Sequence, residues 1–495
     1  MTITKKYLAV DLGGGSGRLI VGTISEGKLN LEEVHRFDNN PVKVNGSIYW
    51  DILRIFHEIK AGIINCVNAG HSDIESIAID TWGVDFGLLD TNGQLIGNPL
   101  HYRDSRTIGI PEKVNNIVDA ATLFSRTGHP SCEINTLFQL ASMNYKQHSQ
   151  LKTAKTLLFT PDLLGYFLTG KKSTEPTIAG TSQLLNVKTL QWDTELLGIL
   201  GIPTNILPEI RETGSMQGTI LPDLAEELGI GQIPVIATAG HDTQCAITAV
   251  PSANSGNEVF ISSGTWSILG CESDTPYTSE NVLNAGFANE LGYEYKFNLL
   301  KNIMGLWLVQ ESKRMIDKAG IKIGYGELVK EAAQAESHRS FVMPNDQCFV
   351  APDNMLKTIR HFCESTGQYV PKTNGEIIRC VQESLACEYR SCIDDLEKLT
   401  GKTFKTINMI GGGTQDKAIC QYTANVTGRT VHAGPIEGTA AGNIAIQAIS
   451  SGELSSVPAA KQLIGDSFEI KIYQPQDQEN WERAYQRYAD LKATI

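Results

Sequence analysis

The chain has 495 residues, more than one hydrophobic core usually serves, so two domains are expected. Its 42 Lys and Arg stand against 55 Asp and Glu, and a net charge of -13 argues against a nucleic-acid partner, which needs a basic face. No run approaches the roughly 20 apolar residues of a membrane span, and Met1 to Lys6 leads straight into a strand, so a cytoplasmic chain with no membrane partner is expected. Phosphorylated small ligands stay open, because a few aimed donors catch them whatever the global charge.

Strand-like runs cluster early, at Tyr7 to Asp11, Arg18 to Thr23, Leu29 to Arg36, Ile74 to Thr81 and Val84 to Leu89, the last leading into the turn signal Thr91-Asn92-Gly93. Between the first two, Gly13-Gly-Gly-Ser-Gly-Arg18 is a glycine turn between strands. Its freed backbone can aim several N–H groups at one anion, with Ser16 and Arg18 adding a hydroxyl and a charge. Asp11, just before that turn, can hold Mg²⁺ through water or simply fix the turn. Ile52, Ile55, Phe56, Ile59, Ile63 and Val67 recur at helical spacing and predict an amphipathic helix from Ile52 to Ala69. Helical periods then dominate from Pro111 to Gly170, in Leu137 to Tyr145 and in Pro161 to Thr169, where Gly170 closes the helix.

Ile233 to Ala249 reads as a buried strand, a Gly-containing corner and a small-residue helix that starts at Asp242. An Asp there can act as a general base on a substrate hydroxyl or serve as an ordinary N-cap. Pro251 to Asn257 has a linker's composition and sets the domain boundary: 1–250, then 258–455, then a charged helical tail, 456–495, expected to pack back onto the first domain. The second half repeats the opening pattern in Glu258 to Gly270, with Gly264-Thr265 as its turn. Helices follow at Met304 to Lys318 and Gly375 to Leu399, and the strand Ile407 to Ile410 runs into Gly411-Gly-Gly413. Two such halves predict a duplicated α/β fold with nucleotide between them. Asn302 and Gln310, eight residues apart, are expected on one helix, two turns from each other.

Several glycine signals carry nothing. Thr400-Gly-Lys-Thr403 lacks the earlier glycine of a P-loop, Leu396 standing there, and Arg18 and Asp416 replace the third glycine of a dinucleotide fingerprint. The ten cysteines show neither C-x-x-C nor zinc spacing and read as reduced thiols, with Cys363 and Cys380 the alternative pair.

Val10-Asp-Leu-Gly13 with Ser16-Gly-Arg18, Ile79-Asp-Thr-Trp-Gly-Val-Asp-Phe86, Tyr102-Arg-Asp-Ser-Arg-Thr107, Gly240-His-Asp-Thr243, Ser262-Ser-Gly-Thr-Trp-Ser267, Lys301-Asn-Ile-Met-Gly-Leu-Trp-Leu308 with Gln310, and Gly411-Gly-Gly413 together resemble the FGGY family of carbohydrate kinases, within the actin-like ATPase superfamily. The resemblance runs nearly the full length. It implies two RNase-H-like α/β domains with ATP and sugar in a cleft between them, and transfer of the terminal phosphoryl group to a sugar hydroxyl. Asp80 to Phe86 with Tyr102 to Thr107 favours the branch acting on the 1-hydroxyl of L-rhamnulose; a kinase for L-fuculose or L-xylulose and an actin-like switch ATPase are the alternatives. The resemblance makes Asp242 the base, assigns Gly14, Gly15, Ser16, Gly17, Arg18, Thr265, Gln310 and Gly413 to ATP, and assigns Gly83, His241, Asp242, Thr243 and Asn302 to the sugar. Asp11 is the metal residue, with ATP as co-substrate and Mg²⁺ as cofactor. The first loop reads Gly14-Gly15-Ser16 where the family usually has Ala-Ser-Ser, one hydroxyl donor fewer. Trp82 could wall the sugar or pack in the core, and Arg103, Asp104 and Arg106 read best as an internal ion-pair group. Composition assigns no oligomeric state.

Overall fold

The apolar runs at the start of the chain form a sheet because each is flanked by residues that let the chain reverse. In the computed structural model, which describes residues 4–251 and 256–495, Lys5–Leu12, Ser16–Ser25 and Lys28–Asp38 make an antiparallel meander. Ser76–Thr81 then pairs parallel to the first strand on its other side, Pro234–Ile236 pairs parallel to that, and Met216–Thr219 closes the edge antiparallel. Ile52–Asn68 covers the sheet with Ile52, Ile55, Ile59, Gly62, Ile63 and Cys66 buried, a stripe at helical spacing, and Asp51 caps it by accepting from the Arg54 N–H. The Asn92-Gly93 turn forms as expected, with Asp90 accepting from the Asn92 and Gln94 N–H groups.

The chain divides into two compact units. The first comprises Met1–Pro251, Glu272–Leu299 and Gly438–Ser467; the second comprises Ser252–Cys271, Leu300–Glu437 and Phe468–Ile495. Two large apolar clusters lie in the first. One lies under the six-stranded sheet, and another is built from Ile110, Leu123, Phe138, Leu157, Leu184, Leu197 and their neighbours. In the second unit Glu258–Ser263 and Trp266–Ser273 form an antiparallel hairpin, Thr406–Ile410 and Thr430–Ala433 add parallel strands, and Lys471–Tyr473 closes antiparallel. A hairpin, two parallel strands and an antiparallel edge therefore occur twice, which is the RNase-H-like α/β plan.

Several expectations are corrected. Residues 438–467 group with the first unit and not with the second half of the sequence. The tail helix Gln478–Thr494 belongs to the second unit: Tyr488 Oη and Lys492 Nζ both reach Glu388 Oε2 at 2.7 Å, and Glu482 pairs with Arg390. Val84 is not in a strand; its φ of 67° makes it the corner before Phe86–Leu89. The linker at Pro251 to Asn257 falls largely on 252–255, outside the described residues. All ten cysteines are free thiols, and Cys363 and Cys380 hydrogen-bond to each other.

One close approach in the first unit depends on a missing side chain. Gly438–Ser450 crosses Asp242–Thr248 so tightly that a Cβ at Gly442 would lie 1.8 Å from the Cys245 carbonyl oxygen. Because that contact is backbone, Gly442→Ala must push the helices apart, at a cost of about 1–3 kcal/mol or more. The expected drop in melting temperature is several degrees, roughly 2–4 °C per kcal/mol for a unit this large. Gly198→Ala, where a Cβ meets nothing within 4 Å, should be neutral or slightly stabilising. Equal melting temperatures for the two variants would refute this account of the crossing.

Candidate active site

The corner after Pro234–Ile236 is held by a buried carboxylate. Glu175 Oε2 accepts from the Gly240 N–H at 2.9 Å, the Thr177 N–H at 2.9 Å, the Thr177 hydroxyl at 2.6 Å and the Ile178 N–H at 3.1 Å, while its other oxygen accepts from the Thr213 hydroxyl. The Gly240 carbonyl in turn accepts from the Thr81 N–H, tying the corner to the end of Ser76–Thr81. His241 is the N-cap and Asp242 the first residue of the helix Asp242–Thr248, so Asp242 is not an N-cap.

Asp242 is held by one oxygen. Its Oδ1 accepts from the Thr243 N–H at 2.6 Å and the Thr243 hydroxyl at 3.3 Å, and His241 Nε2 lies 3.5 Å from the same atom. Among the described residues no donor reaches Oδ2, and the side chain is 28% exposed, so the free oxygen is open to a ligand. Burial on the remaining sides, with repulsion from Asp11, pushes this carboxyl up to about 6 against the opposing charge of His241. Above that pH it is a base.

The glycine turn closes as a tight hairpin. The Gly13 N–H donates to Ser16 O at 2.9 Å, and Asn39 braces the loop through the Gly13 and Gly15 carbonyls. A Cβ at Gly15 would meet nothing within 4 Å and one at Gly14 only the Tyr102 hydroxyl, whereas one at Gly17 would lie 2.3 Å from Phe37. Gly14 and Gly15 thus present open backbone, and Gly17 has a packing reason to be glycine. Asp11 and Arg18 face each other across the hairpin register and form an ion pair at 2.5 Å. On the other side of Asp11, in parallel register, stands Asp80. It is fully buried, accepts from Asn443 Nδ2 at 2.6 Å, has no partner at Oδ1, and is held well above the usual carboxylate range by burial and by Asp11.

Gly83, assigned by the resemblance to the sugar, packs directly against Thr181. A Cβ there would come within 3.1–3.2 Å of Thr181, whose hydroxyl accepts from the Val84 N–H, so protein fills the space while the backbone stays in the strained corner. Trp82 is buried, and it and Trp50 both donate their ring N–H to Asp85 Oδ2, at 3.0 and 2.5 Å. The rings of Trp82, Trp50, His101 and Tyr102 follow at centroid spacings of 4.1, 4.3 and 4.4 Å, ending beside Gly14. Arg106 is internal as expected, bonded to the His101 carbonyl and to Gln139.

In the second unit Thr265 sits in the turn of the repeated hairpin, with its hydroxyl 3.1 Å from Gln310 Oε1, and the Gly264 N–H donates to Trp266 O at 2.9 Å. Asn302 and Gln310 do not share a helix. Asn302 is exposed on the strand Phe297–Met304, while Gln310 lies on Trp307–Lys318, because Gly305 and Leu306 turn the chain between them. Gly413 follows the strand end as expected, but a Cβ there would lie 2.0 Å from Ser263 Oγ, so its glycine serves the packing of Ser263. Glu175 and Glu290 carried no spacing signal in the sequence; Asp80 and Asp85 stand inside the Ile79 to Phe86 motif, which gave neither a role of its own.

Residues 6–249 match the FGGY family of carbohydrate kinases, N-terminal domain, and residues 259–451 match its C-terminal domain. A rhamnulokinase of Bacteroides thetaiotaomicron is 42% identical over 481 residues, 97% of this chain and 98% of the relative. One of Bacillus subtilis is 36% identical over 471 residues, 95% and 96% of the two chains. Among solved structures, a ligand-bound xylulose kinase from Lactobacillus acidophilus superposes with a TM-score of 0.82 at 18% identity, covering 99% of this chain and 98% of that one. A glycerol kinase of Plasmodium falciparum with ADP gives 0.80 at 16%, with the same coverage. These distant structures carry the fold alone. With both domain profiles matched in order over most of its length, and with full-length relatives above 30% identity, this chain belongs to the FGGY family of carbohydrate kinases.

Proposed function

We propose that this kinase transfers the terminal phosphoryl group of ATP to the 1-hydroxyl of L-rhamnulose, giving L-rhamnulose 1-phosphate and ADP. The observation that carries the chemistry is Asp242, with Oδ1 fixed by Thr243 and Oδ2 open. The substrate rests on full-length relatives named rhamnulokinase at 34–42% identity, and on the Asp80 to Phe86 and Tyr102 to Thr107 motifs.

In this reading Asp242 Oδ2 takes the proton from the sugar hydroxyl as that oxygen attacks phosphorus, and the bond to the leaving ADP oxygen breaks. His241, Thr243 and the backbone at Gly83 bind sugar hydroxyls in the first unit, and Asn302 contributes from its strand. The N–H groups of Gly14 to Gly17, the Ser16 hydroxyl and Arg18 bind phosphate, as do Thr265, Gln310 and Gly413 in the second unit. Among the described residues no three His, Cys, Asp or Glu side chains form a metal cluster. Asp11 nonetheless fits a hydrated Mg²⁺, which keeps most of its water and takes one or two carboxylates beside phosphate oxygens. Repulsion among Asp11, Asp80 and Asp242 makes a negative region there that a cation relieves. Bound Mg²⁺ would neutralise charge on the transferring phosphate. Ten free thiols suit the cytoplasm.

Asp242→Asn keeps the shape of the side chain and removes the proton acceptor, so folding and ATP binding should persist while kcat falls about 10²- to 10⁴-fold. Single-turnover kinetics with calorimetric ATP titration separates the two; activity within about threefold of wild type would sink the base assignment.

Substrate choice is read by ADP release over a panel of ketoses and aldoses. L-Rhamnulose is expected to give the highest kcat/KM, with an epimer lower by roughly 5- to 150-fold for each buried hydrogen bond lost, at about 1–3 kcal/mol each. A better result with L-fuculose or L-xylulose would leave the kinase class standing and remove the substrate.

A further inference from the structure

Glu290 lies on the strand Ala288–Leu291, nearly fifty residues after the base in sequence, and is buried within the first unit. Its Oε2 is 3.0 Å from His241 Nδ1 and accepts from Gln244 Nε2 at 2.7 Å, while Gln244 Oε1 accepts from Asn298 Nδ2 at 2.6 Å. At 3.0 Å the imidazole and the carboxylate form a close ion pair. Gln244 sits two residues after Asp242 on the same helix, so carboxylate, imidazole and base are fixed to one element. The packing leaves no slack, because a Cβ at Gly292 would lie 2.7 Å from Asn298 Nδ2 and 3.2 Å from Gln244 Oε1.

We infer that Glu290 is a positioning residue which acts through His241: it holds the imidazole as a cation with Nε2 turned toward Asp242 Oδ1, so that the base stays ionised with Oδ2 free. A buried carboxylate without a counter-charge is costly, and among the described residues this ring is the cation that bridges Glu290 and Asp242. Burial alone would lower His241 and raise Glu290. Instead Glu290, followed by Asp242 and Glu175, carries His241 up to about 9, and His241 brings Glu290 below its ordinary value. The groups facing this pair from neighbouring elements are Asp242, Glu175 at the corner, and His129, a buried ring held below its ordinary value by burial and by His241. Two of the three are acidic, so removal of Glu290 leaves the ring partly supported and shifts its charge without abolishing it.

The kinetic arm of the test rests on the sugar-kinase reading, and the spectroscopic arm needs no turnover, so the two can fail separately. In full-length enzyme labelled with ¹³C-histidine, with the His241 signal assigned from its loss in H241Q, the wild-type ring should remain an imidazolium through pH 8. In E290Q its titration should move at least one pH unit lower, while E290D, which keeps the charge, should retain most of the elevation. At pH 7.5 E290Q should lose about 10- to 100-fold in kcat with the Kd for ATP within about twofold, a loss below or within that of a removed general base. The double variant H241Q/E290Q should be no worse than H241Q. An unchanged His241 titration in E290Q, or additive losses in the double variant, would overturn the inference. If E290Q does not fold, the same titration in E290D decides: a ring titrating near its ordinary 6.5 refutes the charge coupling, and one held above 8 supports it.

Discussion

Everything at the corner before Asp242 depends on one buried carboxyl group. Glu175 has lost its water and regains stabilisation only through the hydrogen bonds it accepts from the Gly240 and Ile178 backbones and from Thr177 and Thr213. Each such bond to a charged group contributes about 1.5–3 kcal/mol, and an unpaired buried charge costs more than any one of them returns. Burial pushes this carboxyl above its ordinary value, and the Thr177, Thr213 and Gly240 hydrogen bonds oppose that shift. Placement of His241 and Asp242 follows from the Gly240 bond. The corner is fixed by the need to satisfy an acid sixty-five residues away and not by any preference of its own glycine.

A second consequence concerns charge. Asp11, Asp80 and Asp242 come from two adjacent parallel strands and one helix start, and each makes ionisation of its neighbours harder. Arg18 answers Asp11, Asn443 answers Asp80 and His241 answers Asp242. Each answer has a different strength, so the three carboxylates, alike in chemistry, differ in how readily they give up a proton. Asp80, with only an amide and an orphaned oxygen, holds its proton more firmly than Asp242, which can cycle near neutral pH.

The sequence made legible what rests on periodicity or on backbone freedom. The strands from Tyr7 to Thr81, the stripe of Ile52 to Cys66, both hairpin glycine turns and the helix start at Asp242 all carry local signals that tertiary packing did not overrule. Glu175 and Glu290 were invisible because a single acid looks the same whether it is solvated or buried; only its surroundings, assembled from distant segments, give it a role. Asn302 and Gln310 were placed on one helix because eight residues fit two turns, and the signal that breaks this, Gly305, whose Cβ would strike Ser267, is a packing fact with no periodic trace. Residues 438–467 could not be assigned to the first unit from the sequence, since the small residues that allow Gly442 to touch the Cys245 carbonyl read equally well as any buried helix.

Gly83 and Thr181 occupy what amounts to a single volume, one residue's absent Cβ filled by the other's side chain. Neither position is free to drift by itself. A library that varies Gly83 alone would sample mostly displaced corners, because the hydroxyl of Thr181 also accepts from the Val84 N–H. Pairing a larger residue at 83 with Ser or Ala at 181 would exchange the volume between the two, so the two positions can vary only together.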